Sequence, residues 1–277
     1  MRRLLLFIAL TGCGANAGVA PETPQAPVIM EVATGQPISF EALIDRLAVA
    51  RVVYVGERHD RVDDHRAQRA ILEALHARDP QLAIGFEMFQ QPYQGALDAY
   101  VEGSIDEEEL LRRTDWEHRW GFDFAMYRPL VAFGPEHRVP LVALNAPQEI
   151  TRTIAREGLT GLDEATRRAL PHLDETVAAH RARVAEALQG HEGMTEAMLE
   201  RFYTAQLVWD ETMAKNVASH LASHEGRMIV FAGVMHVARD AIPERAARRG
   251  AGPFAIVMPE DELPEAPPAD FVWLTPR

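Results

Sequence analysis

Three short stretches of the chain place glycine, carboxylate and imidazole directly after apolar runs. Val52–Val55 is followed by Gly56-Glu57-Arg58-His59-Asp60, Leu82–Phe86 by Glu87, and Met228–Ala232 by Gly233-Val234-Met235-His236. Glycine lets the backbone turn tightly, so that the side chain three positions on can look back over the end of the preceding strand. His59, Glu87 and His236 make up the His₂Glu donor set of a catalytic zinc or iron site, which leaves positions open for water or substrate. Without a metal, the same three residues and Glu57 could do general acid and base work, a carboxylate raising the pKa of an imidazole beside it. Singly, each residue has a plainer role: His59 and Glu87 bonding to their own turns, His236 capping a helix. The coincidence of all three at strand ends favours a shared site.

Strand ends converge only if the strands run the same way. Further apolar runs at Val28–Val32, Pro140–Leu144, Phe254–Met258 and Phe271–Leu274 alternate with segments of helical period. Examples are Phe40–Ala48, which Ser39 can cap, and the face formed by Ala67, Ile71, Leu72 and Leu75. Strand and helix in alternation predict an α/β domain over 28–277, a mostly parallel sheet flanked by helices with right-handed crossovers. In such a sheet, ligands bind outside the carboxyl ends of the strands, where Glu57, His59, Glu87, Asn145 and His236 fall. Between Leu144 and Met228 no strand signal appears; Thr166–Gln189 and Met194–His224 read as long helices, and a helical cap at about 150–225 is expected over the cleft.

The 277 residues carry 28 Lys and Arg against 41 Asp and Glu, a formal net charge of −13, and no basic cluster or nucleic-acid motif offsets it. Nucleic acid is therefore excluded as a partner. One cysteine rules out a disulfide framework and a zinc ribbon. That residue, Cys13, closes Leu10-Thr11-Gly12-Cys13 after two arginines and a short apolar run. The pattern is similar to a bacterial lipobox: residues 1–12 read as a lipoprotein signal peptide, Cys13 as the lipidated residue, and 13–27, bearing Pro21, Pro24 and Pro27, as a tether reaching about 45 Å when extended. Nothing later offers 18 consecutive apolar residues, so lipid alone would hold the domain to the membrane of a bacterial cell envelope.

Taken in order, Gly56-Glu57-Arg58-His59-Asp60 with His65 and Gln68, Gly85-Phe86-Glu87-Met88-Phe89, Trp116 and Trp120 with Tyr127-Arg128-Pro129, Leu144-Asn145-Ala146-Pro147, Ala205-Gln206 with Trp209-Asp210 and Met213-Ala214, and Ala232-Gly233-Val234-Met235-His236 span most of the chain. This sequence of motifs resembles the ChaN-like haem-binding lipoproteins. The resemblance implies haem as cofactor, a role in haem or iron uptake or handling at the envelope, a homodimer formed around the ligand, and tyrosine as the iron ligand. Of the five tyrosines, Tyr127 stands in the most aromatic segment and Tyr203 beside Phe202, Gln206 and Trp209, so these two are the candidate ligands, with His65, Trp120 and Arg128 completing the haem site. The family resembles a wider group of Tiki-type metalloproteases and erythromycin-esterase-like hydrolases, which keeps open a hydrolase using Glu57, His59, Glu87 and His236, with or without a divalent metal such as zinc. Arg58 and Arg61 depart from the family pattern, in which Asn is expected at the second position, and favour an anionic ligand.

Overall fold

The computed structural model describes residues 27–188 and 193–275; the leader at 1–12 and the tether at 13–27, apart from Pro27, lie outside the described residues. Eight strands form one sheet: β1 (Val28–Glu31), β2 (Gln36–Ile38), β3 (Val52–Glu57), β4 (Leu82–Gln90), β5 (Leu141–Asn145), β6 (Arg227–Gly233), β7 (Phe254–Glu260) and β8 (Phe271–Leu274). Their spatial order is β2-β1-β8-β7-β3-β6-β4-β5. From β8 to β5 every pairing is parallel, and only β1, paired antiparallel to both β8 and β2 near one margin, runs the other way. The expected α/β architecture with a mostly parallel sheet is thus the observed one. β2 is too short and too polar, as Gln-Pro-Ile, to carry an apolar pattern of its own.

Strand alternation assigns side chains to the two faces. Val53 and Val55 of β3 enter the core under one helical layer, while Val52 and Tyr54 enter the core under the other. The first layer holds α1 (Phe40–Leu47), α2 (Val62–Arg78), α3 (Gln94–Val101), α4 (Glu107–Thr114), α5 (Trp116–Arg119), α6 (Phe124–Val131) and α7 (Phe133–His137). Ser39 caps α1 as expected, its hydroxyl accepting from Ala42 N–H at 3.1 Å.

The stretch 150–225 contains most of α8 (Gln148–Glu157), then α9 (Glu164–Ala169), α10 (Ala178–Ala187) and the 28-residue α11 (Glu196–Ser223). The single helix expected over Thr166–Gln189 is not formed. Pro171 disfavours an α conformation at the residue before it, and Leu170 turns extended at φ −58° and ψ 146°. α11 has two duties along its length. Its C-terminal half, through Met213, Ala214, Val217 and Leu221, packs on the sheet with α13 (Ile242–Ala247), whereas Ala205 and Val208 pack with Ile154 of α8, and Tyr203 and Leu207 with Val184 of α10, in small separate cores. Among the described residues no helix is long and apolar enough to cross a membrane.

The outer edge of β5 is closed by a side chain. Gln94 Nε2 donates to Leu141 C=O at 2.8 Å and Gln94 Oε1 accepts from Ala143 N–H at 2.8 Å, the pair of bonds a ninth strand would make.

Candidate functional site

Glu57 ends β3 on the face it shares with Val53 and Val55 and is 1% exposed. A carboxylate so buried needs its oxygens filled. Oε1 accepts from the Tyr127 hydroxyl of α6 at 2.9 Å and lies 2.8 Å from His59 Nδ1, while Oε2 accepts from Gln68 Nε2 at 2.9 Å. His65 stands one turn before Gln68 on α2, its ring nitrogens 3.1 Å from Gln68 Oε1 and 3.2 Å from the His59 carbonyl oxygen. The turn between is fixed by Asp64, which accepts from Arg58 N–H at 2.9 Å and takes the Arg58 guanidinium on both oxygens.

Glu87 lies inside β4, which runs on to Gln90, and faces the opposite side of the sheet. Its Oε2 accepts from Gly233 N–H at 2.6 Å and its Oε1 is 3.3 Å from His236 Nε2. His236 sits on the short α12 (Val234–Val237) that follows β6. Its Nδ1 is 2.5 Å from Asp210 Oδ1, with the Gln206 carboxamide 3.1 Å away, and Asp210 Oδ2 is 2.7 Å from His180 Nε2. Asp210 belongs to α11 and His180 to α10, and both are fully buried, so these helices stand over the carboxyl end of β6.

The two groups meet at Gly233. A Cβ there would lie 2.9 Å from His59 Cε1, 3.2 Å from His59 Nε2 and 3.6 Å from Glu87 Oε2, so the residue is glycine for want of room. His59, Glu87 and His236 therefore converge at the ends of three adjacent strands. The His59 side chain is 30% exposed, its ring 4.8 Å from Trp120 and 5.1 Å from Phe122, both half-buried.

The electrostatics follow from this packing. Burial pulls the His59 imidazole down, but the hydrogen bond to Glu57 and the charges of Glu87 and Glu57 outweigh it, and the group lies above its ordinary value. Burial likewise opposes the charge on His236, yet Glu87 and Asp210 on either side lift it to about 9. Asp210 is driven up by burial and down, by more, by its two histidines, to about 2. Burial raises the Tyr127 phenol far above its usual range, and the Glu57 charge raises it further.

Several expectations are corrected. Among the described residues no three His, Cys, Asp or Glu side chains are arranged to hold a metal ion. Glu87 is occupied by Gly233 N–H and His236, so the zinc or iron reading of His59, Glu87 and His236 has no metal-ready donor set among the described residues. Tyr127 and Tyr203 are buried, Tyr127 donating to Glu57 and Tyr203 packed between His180 and the Arg181 guanidinium, so neither hydroxyl is offered to a ligand. His65 is buried against Gln68, and Arg128 reaches away to Glu107 on α4. Arg58 and Arg61 are engaged by Asp64 and Asp261 and do not supply free positive charge. Trp120 alone of the expected haem contacts stands at the open rim.

Residues that the strand-end reasoning passed over complete the site. Asp210 and His180 sit on helices, where nothing in their spacing marks them as partners of His236. Tyr93 was within reach of that reasoning, being three residues beyond the end of β4. It is the one tyrosine of the five that is not buried, and the Arg119 guanidinium lies 5.0 Å above its ring.

Comparison with known proteins agrees with this architecture. A profile of the family described as haem-binding uptake, Tiki superfamily, ChaN, matches residues 43–245. The solved structure described as cofacial heme binding to ChaN of Campylobacter jejuni superposes with a TM-score of 0.71 at 19% identity, covering 91% of this chain and 97% of that one. An erythromycin esterase mutant in its open conformation gives 0.49 at 16% identity over 85% of this chain and 78% of that one, a likeness too slight to carry an argument. The chloroplastic protein RETICULATA-RELATED 5 of Arabidopsis thaliana is 26% identical over 257 residues, 83% of this chain, and the chain spans about a third (34%) of that relative's length.

His236 gives a stability test with a definite sign. Its folded value of about 9 lies above the ordinary imidazole value, so its contribution is complete below about pH 6.5 and is lost as pH rises through 9. Denaturant unfolding should show stability falling across this interval, by at most about 1.4 kcal/mol per pH unit for one proton. In Asp210→Asn the slope should flatten, because the charge holding the proton is gone; an unchanged slope would contradict the pairing.

Proposed function

Because the chain belongs to the haem-binding family of the Tiki superfamily typified by ChaN, we propose that it is itself a haem-binding protein, with Tyr93 as the iron ligand. The observation that carries this is the single accessible phenol at the carboxyl edge of the sheet, under the guanidinium of Arg119. Arg119 bonds to Gln90 and Glu149 and pairs with Asp115 at 3.6 Å, its guanidinium held over the Tyr93 ring. The next residue, Trp120, and then Phe122 are half-buried aromatics.

These residues fit the group. A flat apolar macrocycle wants aromatic walls, which Trp120 and Phe122 would supply. When bound, haem contributes an iron able to accept a phenolate oxygen and to change redox state. Tyr93 would hold that iron, while Tyr127 and Glu57 keep the floor of the site in place. The chain would be tethered at Cys13 as a lipoprotein of the bacterial cell envelope, handling haem in iron uptake, and two copies would close around the ligand.

Haemin titrated into the purified protein should give a saturable Soret change, with sedimentation shifting from monomer to dimer. Tyr93→Phe should remove the tyrosinate signature, whereas Tyr127→Phe should leave it and weaken the fold by about 1.5–3 kcal/mol, the worth of a hydrogen bond to a charged group. A Tyr93→Phe spectrum identical to wild type would overturn the ligand assignment. For the anchor, Cys13→Ser should move the protein from the membrane to the soluble fraction of its host; retention in the membrane would refute lipidation at that residue.

A further inference from the structure

We propose that His220 and His224, at the end of α11, form a site for copper(II), bound through one ring nitrogen of each. This goes beyond haem binding and does not depend on it. The pair stands near the start of β6, so the seven residues of that strand, about 20 Å, separate it from His236. His220 lies in the last turn of the helix and His224 caps it, its backbone N–H donating to the His220 carbonyl at 3.0 Å. A spacing of four residues puts both side chains on one face, the arrangement by which two helical histidines hold one metal ion. The rings lie face to face, with centroids 4.2 Å apart and planes 8° from parallel.

The hydrogen bonds decide which nitrogens are open. His224 Nδ1 is 3.0 Å from the His220 carbonyl oxygen and 3.0 Å from Ser223 Oγ. A carbonyl only accepts, so Nδ1 carries the proton and Nε2 keeps its lone pair, as in metal-binding imidazoles whose second nitrogen donates to the main chain. Among the described residues the His220 ring makes no hydrogen bond and packs on His224. Burial, and then the neighbouring His224 imidazole, hold His220 down to about 4, so at neutral pH it has a bare nitrogen and no proton to lose. Both side chains line two clefts, of about 260 and 420 Å³, through which an ion and its waters can approach. Glu225 borders the first cleft and Asp98 the second, and Arg227 in the first is paired with Asp79 at 2.9 Å.

The donor set selects the ion. Among the described residues no third His, Cys, Asp or Glu completes it. Zinc sites in proteins draw three or four such ligands, whereas copper(II) accepts imidazoles and oxygens in a tetragonal field and heads the affinity order of the first-row divalent ions. Imidazole nitrogens about 2.0–2.1 Å from one ion, at a right angle, stand about 3 Å apart, so the rings must tilt together by about 1 Å. Side chains at a solvent-facing helix end can make that movement. Binding replaces two waters of the hydrated ion by two nitrogens; the copper stays divalent and no proton is released.

The test titrates copper(II) chloride into haem-free full-length protein by calorimetry and records the electron paramagnetic resonance spectrum at one equivalent. Wild type should bind one equivalent in the micromolar range, with nitrogen splittings from two imidazoles. His220→Gln and His224→Gln should each weaken binding by about 10-fold or more and leave one nitrogen. His76→Gln removes one ring of a second facing pair, His76 and His137 on α2 and α7 with centroids 5.0 Å apart, and should leave the affinity unchanged. Circular dichroism establishes that each variant is folded. No binding by wild type at micromolar protein, affinity and spectrum unchanged in the folded double variant His220→Gln/His224→Gln, or a loss in His76→Gln in place of the α11 variants would each overturn the proposal.

Discussion

A carboxylate set at the end of a central strand, with 1% of its surface exposed, is tolerable only if the chain brings donors to it, and Glu57 draws them from three elements. Tyr127 arrives from α6, Gln68 from α2, and His59 from the turn that leaves β3. Removing any one leaves part of a buried negative charge without a partner, at a cost of about 1–3 kcal/mol or more. The position of α6 against α2, the course of the turn after β3 and the orientation of the His59 ring thus answer to one group. Asp64 adds a second constraint by holding the backbone of Arg58, so His59 is fixed from both directions.

The opposite face has its own buried carboxylate, Asp210, which orients His236 as Glu57 orients His59. Two imidazoles, each backed by an acid, reach the same point from the two sides of the sheet, and Gly233 is the gap between them. The environments differ in one respect. His236 lies between two carboxylates and holds its proton to about pH 9, whereas His59 stands at the aromatic rim with one nitrogen unpartnered among the described residues. Trp120 and Phe122, half-buried, border the His59 ring above a polar, tightly bonded floor.

Much of the sheet and the centre of the site could be read from sequence, because parallel strands impose a common direction: residues following Val55, Phe86 and Ala232 had to share an edge. The helix-borne members could not be read in this way. Asp210 and His180 lie 30 residues apart and meet because α10 packs against α11. Tyr127 illustrates the opposite failure. Its aromatic surroundings suggested a ligand pocket, but aromatic density also marks a core, and burial with a hydrogen bond to Glu57 decides for the core. The same ambiguity hid Tyr93, whose exposure depends on how β4 ends rather than on its neighbours in sequence.

The claim on which the rest stands is that Glu57 fixes the proton of His59 on Nδ1 and leaves Nε2 bare. Long-range proton–nitrogen correlation spectra of ¹⁵N-histidine-labelled protein, recorded above the pH at which His59 loses its extra proton, report this directly. The expected result is a protonated Nδ1 and an unprotonated Nε2 for His59, with the preference weakened in Glu57→Gln. A proton on Nε2, or a rapidly averaged mixture of the two forms as in a free imidazole, would contradict it.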